Sequence, residues 1–168
     1  MKVFKQIDDV QDCAGSVVTI GSFDGLHRGH QDIVKTLTTI AKAKGSKAAV
    51  ITFDPHPRHI LNKKNKISLL MSLDKKQALL EELGVDVMLV IPFTEEFSRI
   101  TAETFMDDVI MKHFYPAEIV IGYDHHFGHK RQGTPKFLQD YAEKRGIKLD
   151  IINPVADDKV VLSSTHIR

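Results

Sequence analysis

The chain has 168 residues, of which 42% are hydrophobic and 27% charged, and its formal net charge is +1 at pH 7. The length and composition are typical of one globular domain, and the low net charge excludes the strongly basic surface that nucleic-acid binding requires. The sequence contains no apolar run long enough to cross a membrane. The amino terminus lacks the apolar core of a secretory signal, and Cys13 alone allows no internal disulfide. We therefore expect a cytoplasmic protein that binds neither nucleic acid nor membrane.

Mostly apolar segments alternate with segments of helical periodicity along the whole chain. The apolar segments predict five strands, at residues 16–21, 47–53, 85–91, 118–122 and 149–152. Four helices are predicted between these strands. The first ends at Gly45, the second covers residues 74–83, the third begins at the cap Thr101, and the fourth runs from Thr134 to Gly146. A short further strand is predicted at residues 159–162. This alternation indicates a Rossmann-like α/β fold, a doubly wound, mostly parallel sheet of about five strands in one domain, residues 1–168.

Histidines are concentrated in the loops that follow the predicted strands. Of the nine in the chain, eight occupy such loops: His27, His30, His56, His59, His125, His126, His129 and His166. Only His113 lies elsewhere, near the end of a helix. Because ligands of doubly wound proteins bind beyond the carboxyl ends of the strands, the histidines predict an anion-binding site at that edge of the sheet.

The first candidate motif, residues 21–30, reads Gly-Ser-Phe-Asp-Gly-Leu-His-Arg-Gly-His. A strand ends at Gly21, and the helix that follows carries His27 and His30 in its first turn, where a helix amino terminus favours phosphate. Gly29 lets a nucleotide approach the backbone closely. Two alternatives stay open: a pair of polar residues at a helix start, or a zinc site. The glycine patterns of dinucleotide-binding folds and of P-loops are absent.

A second candidate motif follows the second strand and contains Phe53, Asp54, Pro55, His56, Pro57 and Arg58. Two prolines stiffen this loop, which presents one imidazole and one guanidinium able to pair with a phosphate. Phe53 and the prolines offer apolar surface to a planar ligand. The alternative is an ordinary surface loop.

Two further polar clusters complete the candidate site. Asp124 follows the fourth strand, where its carboxylate could accept from ribose hydroxyls, hold a metal through water, or simply cap the turn. Ser163 and Ser164 suit the start of a helix that binds phosphate oxygens, and Arg168 lies one turn further on. An ordinary helix cap with a trailing arginine is the alternative there.

Taken together, these segments resemble the FMN adenylyltransferase (FAD synthetase) module of bacterial bifunctional riboflavin kinase/FAD synthetases. Residues 21–30 resemble its first motif, which marks the wider HxGH nucleotidyltransferase superfamily. Residues 52–58 are similar to its flavin-side loop, residues 122–133 to its fourth-strand loop, and residues 163–168 to its closing S-S-T-x-I-R motif. Two positions depart from the family pattern: Ser22 replaces the usual Asn, and His125 replaces an aromatic residue.

The resemblance implies transfer of the adenylyl group of ATP to FMN, giving FAD and pyrophosphate, with Mg²⁺ bound mainly by phosphates and water. It assigns catalysis to His27, His30 and Arg168. It assigns the ATP to Gly21, Ser22, Phe23, Asp24, Gly29, Asp124, Ser163 and Ser164. It assigns the flavin to Phe53, Asp54, Pro55, His56, Pro57, Arg58 and Phe127. No protein metal ligand is assigned.

In the bifunctional family a riboflavin kinase module follows the closing motif, so we expect that module to be absent from residues 1–168. Three rival functions remain. The acceptor could be phosphopantetheine, nicotinate mononucleotide, or glycerol phosphate with CTP. The chain could also be a nucleotide-binding module without catalysis, or a zinc-binding scaffold.

Overall fold

The computed structural model describes residues 1–64, 68–153, 156–157 and 160–161. Its main sheet has six strands: β1 (Lys2–Phe4), β2 (Val17–Ile20), β3 (Ala48–Asp54), β4 (Val87–Pro92), β5 (Glu118–Gly122) and β6 (Lys148–Ile152). Its α-helices are α1 (Arg28–Lys44), α2 (Pro57–Leu61), α3 (Leu73–Glu82), α4 (Glu95–Ser98), α5 (Ala102–Phe105), α6 (Lys112–Phe114) and α7 (Pro135–Arg145). A π-helical segment, Met106–Met111, joins α5 to α6.

All neighbouring strands of the main sheet are parallel, in the order β1-β4-β3-β2-β5-β6. The chain therefore moves outward from β2 in one direction through β3 and β4, and then returns to the other side of β2 to form β5 and β6. The carboxyl ends of β2 and β5 flank the point where the direction reverses, which is where such folds bind ligands. The predicted doubly wound architecture is confirmed.

Strand β1 has no counterpart among the strands predicted from the sequence, so the sheet has one strand more than expected. Lys2, Val3 and Phe4 pair with Val87, Met88 and Leu89 of β4. Three residues with one exposed lysine give no periodic signal, because this strand is defined by its pairing with β4.

Helices cover both faces of the sheet, as continuously apolar strands require. Successive residues of β2 point to opposite sides, so Val17 packs with α1 and α3 while Val18 packs with the helical segment of residues 102–114 and with α7. These two layers bury β2 completely and all but the carboxyl ends of β3 and β5, where the strand-end loops begin.

The predicted helix boundaries are also confirmed. Thr101 and Thr134 accept hydrogen bonds from the backbone N–H groups of Thr104 and Phe137. Gly45 and Gly146 end α1 and α7 in the left-handed conformation. Near the predicted strand at 159–162, Val160–Val161 (β8) pairs antiparallel with Ala156–Asp157 (β7), and the rest of that segment lies outside the described residues. Within the described ranges, none of the helices is long and apolar enough to span a bilayer.

Candidate active site

A polar cleft of about 460 Å³ opens beyond the carboxyl ends of β2, β3, β5 and β6. Its wall includes Gly21, Ser22, Phe23, His27, Gly29, His30, Phe53, His56, Pro57, Arg58, Asp124 and Phe127 from the predicted site. Asp24, Asp54 and Pro55 lie outside this lining, and Ser163, Ser164 and Arg168 lie outside the described residues. The edge of the sheet chosen from the histidine positions is therefore the edge that carries the cleft.

The turn that enters the cleft after β2 is conformationally strained. Phe23 and Leu26 have φ values of 49° and 39°, which are costly for residues with a side chain, and Gly25 between them adopts φ 81° without that cost. The side chains of Phe23 and Leu26 are buried, and the Asp24 carboxylate accepts a 2.9 Å hydrogen bond from the backbone N–H of Leu70. The structure thus places Asp24 beneath the turn, where it fastens the loop before α3 to the first motif.

His27 is the amino-terminal cap of α1 rather than a residue of its first turn, which corrects the sequence-based placement. Its backbone is extended, and its Nδ1 accepts a 3.3 Å hydrogen bond from the backbone N–H of His30. An accepting Nδ1 leaves the proton of the neutral ring on Nε2. The imidazole rings of His27 and His30 stack with centroids 3.7 Å apart, so both predicted imidazoles do meet in the cleft.

Burial keeps the paired imidazoles neutral at physiological pH. Desolvation, followed by the nearby His27 and the Lys76 ammonium, lowers the pKa of His30 to about 3. Desolvation also lowers the pKa of His27, although the Asp124 carboxylate opposes that shift. The pair can therefore donate hydrogen bonds to a polyphosphate without carrying a permanent charge.

His56 caps α2 in the way that His27 caps α1. The His56 Nδ1 accepts a 3.1 Å hydrogen bond from the backbone N–H of Arg58, and desolvation chiefly lowers the His56 pKa to about 4. Pro57 begins α2, so the last two residues of the predicted loop, Pro57 and Arg58, are the first two residues of a short helix. Its first residues present His56, Pro57 and Arg58 to the cleft.

The loop after β5 forms the opposite wall. The Asp124 carboxylate lies over Gly122, where a Cβ would approach its Oδ1 to 3.4 Å. His125, one of the two positions that depart from the expected pattern, places its ring 5.4 Å from that of Phe127. The His126 Nδ1 lies 2.7 Å from the Asp124 carbonyl oxygen and 3.2 Å from Nη2 of Arg131.

A second, apolar cleft of about 480 Å³ adjoins the first. Five phenylalanines line it: Phe53, Phe93, Phe97, Phe105 and Phe127. Their rings meet at mostly steep angles, with centroids 5.7 Å apart for Phe53 and Phe93 and 6.0 Å apart for Phe97 and Phe105. Of these five phenylalanines, only Phe53 and Phe127 are among the site residues predicted from the sequence. Phe93 directly follows β4 at the same edge of the sheet, so the strand-end rule could have found it.

The two clefts share one wall. Phe53, Pro57, Leu61, His126, Phe127 and Arg131 line both of them. Arg131 is the only one of these six that carries a permanent positive charge, and its backbone is left-handed, with φ 57°. A ligand with an aromatic ring in the apolar cleft and a phosphate in the polar cleft would pass this residue.

Gly133 makes room for the Phe127 ring. The two residues exchange backbone hydrogen bonds of 3.1 and 2.8 Å, and a Cβ on Gly133 would stand 2.4 Å from Cδ1 of Phe127. The ring therefore lies directly over the glycine, and a side chain at position 133 would displace it.

Lys76 is a site residue that the sequence did not reveal. It belongs to α3, is only 7% exposed, and donates a 2.6 Å hydrogen bond from Nζ to the carbonyl oxygen of Ser22. Burial lowers its pKa to about 8, and the Asp54 carboxylate opposes that shift. A cation thus lies behind the first motif and beside the second.

The described residues contain no cluster of three metal-binding side chains. Asp124 is the only carboxylate among the described residues that line the polar cleft. One carboxylate beside several imidazoles does not form the oxygen-rich cage that would hold Mg²⁺ by protein alone. It does fit a Mg²⁺ ion carried chiefly by substrate phosphates.

The sheet order and the cleft at its reversal point define a ligand-binding protein of the Rossmann-like α/β class, with the HxGH turn beside the cleft. Residues 9–166 match the FAD synthetase family, and the chain belongs to that family. A bifunctional riboflavin kinase/FMN adenylyltransferase from Listeria monocytogenes is 37% identical over 155 residues, covering 90% of this chain and 48% of that protein. A protein of the same description from Buchnera aphidicola subsp. Schizaphis graminum is 32% identical over 170 residues, and the match covers 100% of this chain and 54% of that protein.

The chain thus spans about half the length of the curated relatives it matches. A solved structure from Streptococcus pneumoniae, described as a macrolide-efflux protein, shares the fold with a TM-score of 0.84 and 27% identity. The structural match covers 99% of this chain and 55% of the Streptococcus pneumoniae chain.

Proposed function

We propose that this chain transfers the adenylyl group of ATP to FMN, giving FAD and pyrophosphate. The observation that carries the proposal is the wall shared by a polar, imidazole-lined cleft and an aromatic cleft. The reaction joins a nucleotide to a flavin through phosphates, and it therefore needs one polar and one aromatic subsite in direct contact. Family membership supports the same activity.

In this proposal the isoalloxazine ring of FMN occupies the apolar cleft. Phe53, Phe97 and Phe127 supply flat surfaces and ring edges to a planar ligand. Residues 52–58 are proposed as the flavin-side loop, in which Arg58 lines the polar cleft. Asp54 and Pro55, which lie outside that lining, are proposed to contact the flavin as part of the same loop. Riboflavin and FMN share the ring, so this cleft alone does not distinguish them.

The ATP phosphates are proposed to lie in the polar cleft, against the amino terminus of α1. The imidazoles of His27 and His30 donate to phosphate oxygens, while Gly21, Ser22, Phe23 and Gly29 allow close approach of the nucleotide. Asp124 is proposed to contact the ribose or water around Mg²⁺. Ser163, Ser164 and Arg168 are proposed for the leaving pyrophosphate from the sequence motif alone.

Chemistry in such a site requires alignment rather than a protein nucleophile. The FMN phosphate oxygen attacks the α-phosphorus of ATP, the bond from that phosphorus to the bridging oxygen breaks, and pyrophosphate leaves. Arg131 lies between the two clefts, where its guanidinium can pair with the FMN phosphate. Bound Mg²⁺ would neutralise phosphate charge. We propose the cytoplasm as the location of this reaction.

An acceptor panel tests the proposal. Purified protein is incubated with Mg²⁺, ATP and each acceptor in turn, and pyrophosphate release is measured for FMN, nicotinate mononucleotide and phosphopantetheine, with glycerol phosphate and CTP as a fourth pair. We expect kcat/KM for FMN to exceed the others by at least about 10²-fold, because only FMN fills the aromatic cleft.

Riboflavin is the matched control, since it binds the same aromatic cleft but has no phosphate to attack ATP. Faster release with another acceptor would replace FMN in the proposal. Release with none of them, despite measurable ATP binding, would favour the noncatalytic nucleotide-binding module.

A further inference from the structure

Lys76 is buried beneath two loops of the cleft yet belongs to neither motif. It is the most buried charged residue of α3, and its Nζ donates to the Ser22 carbonyl oxygen at 2.6 Å. The next residue along the helix toward the amino terminus, Lys75, is exposed. Removing an ammonium group from water costs free energy, so a lysine at this buried position is not explained by a role in solubility.

The carbonyl that Lys76 holds has a second donor. Thr52 Oγ1, at the end of β3, also donates to the Ser22 oxygen, at 3.2 Å. This oxygen is therefore fixed between β3 and α3, at the entrance to the strained turn in which Phe23 has φ 49°. The two contacts fasten the start of the first motif to the loop that begins the second.

The direction of this carbonyl sets the direction of the next amide. In a trans peptide the N–H and the C=O point in opposite directions, so the Phe23 N–H points away from Lys76. Ser22 and Phe23 line the polar cleft, whereas Lys76 does not. Holding the oxygen behind the turn therefore turns the Phe23 N–H toward the cleft side, as an anion-binding backbone requires.

We infer that Lys76 is a positioning residue for nucleotidyl transfer, whose ammonium holds the Ser22–Phe23 peptide so that the first motif presents its backbone N–H to the nucleotide phosphates. This inference rests on the proposed function for its substrates, and on the Ser22 contact for its geometry. Lys76 acts through the turn and touches no reacting atom.

The test compares Lys76→Met, which keeps the length of the side chain without its charge, with Lys76→Arg, which keeps the charge. We expect kcat of the Met variant to fall by roughly ten- to a hundredfold. This loss is at or below the lower end of the effect of removing a donor that contacts the reacting group, because Lys76 acts through the turn. The KM for FMN should change less than about threefold. The Arg variant should recover part of the activity. Lys75→Met, on the exposed side of the same helix, should behave as the wild type.

The pH profile separates positioning from a merely structural role. The groups facing Lys76 are Asp54, His30 and His56, and both imidazoles have pKa values far below neutrality, at about 3 and about 4. Because the Lys76 pKa is lowered to about 8, wild-type kcat should decline as the pH rises through about 8. In Lys76→Met this decline should vanish.

Affinity for ATP, measured by calorimetry without turnover, keeps the test independent of the proposed function. The affinity of the wild-type protein for ATP should weaken above about pH 8. This measurement does not depend on the folding of any variant. Wild-type protein that binds ATP but makes no FAD would contradict the proposed activity and leave the Lys76 inference standing. Met-variant turnover equal to that of the wild type, or ATP affinity that is constant from pH 7 to pH 9, would overturn the Lys76 inference.

Discussion

Replacing His30 with alanine is expected to lower the turnover number by a factor on the order of 10² to 10³, as loss of a single preorganised donor does in other enzymes. The His30 ring stacks on His27 at 3.7 Å and meets the edge of Phe23 at 5.3 Å, so its orientation is fixed before substrate binds. A fixed neutral donor contributes most where charge develops on the phosphates, and kcat should therefore change more than KM.

His113→Ala is the matched control, because the same substitution on α6 removes an imidazole that lines neither cleft. Thermal unfolding of both variants should be recorded, since His30 is also packed against Phe23. Near-normal turnover of His30→Ala would remove this histidine from catalysis.

Gly133→Ala is expected to raise the Kd for FMN by roughly ten- to a hundredfold and to change the Kd for ATP much less. The added Cβ would stand 2.4 Å from the ring of Phe127, so this ring, which lines the aromatic cleft, must move away from residue 133. Overpacking of this kind costs about 1–3 kcal/mol of folding stability. The expected rise in Kd corresponds to a loss of about 1.4–2.7 kcal/mol in the free energy of FMN binding. Quenching of flavin fluorescence measures the FMN affinity directly.

Gly146→Ala is the control for a generally destabilised fold. Gly146 has φ 66° and no atom within 4 Å of the added Cβ, so alanine there strains the backbone of α7 without a clash. It should leave the FMN affinity intact. Unchanged FMN affinity in Gly133→Ala would place the flavin outside the Phe127 cleft.

The parts of this protein that obey local rules could be predicted from the sequence. Buried parallel strands are apolar along their length, and helix caps such as Thr101 have a local signature, so the core strands and boundaries followed directly. The histidines located the cleft because parallel strands end at a common edge. His27 and His56 were placed near the right partners, although their role as helix caps required the backbone geometry.

The residues that escaped prediction depend on tertiary contacts. Lys76 has ordinary polar neighbours in sequence, Lys75 and Gln77, and only the packing of α3 under the first motif buries it. Phe97 lies on α4, a helix of four residues, too short for a periodic pattern. In each case the side chain acquires its role from an element distant in sequence.

The most direct test of adenylyl transfer follows the phosphorus atoms of ATP. The purified chain is incubated with FMN, Mg²⁺ and ATP labelled on either the α- or the γ-phosphorus, and the products are separated. The proposed reaction predicts the α label in FAD and the γ label in pyrophosphate. Transfer of the γ label to the flavin with release of ADP, or retention of both labels in ATP, would contradict it.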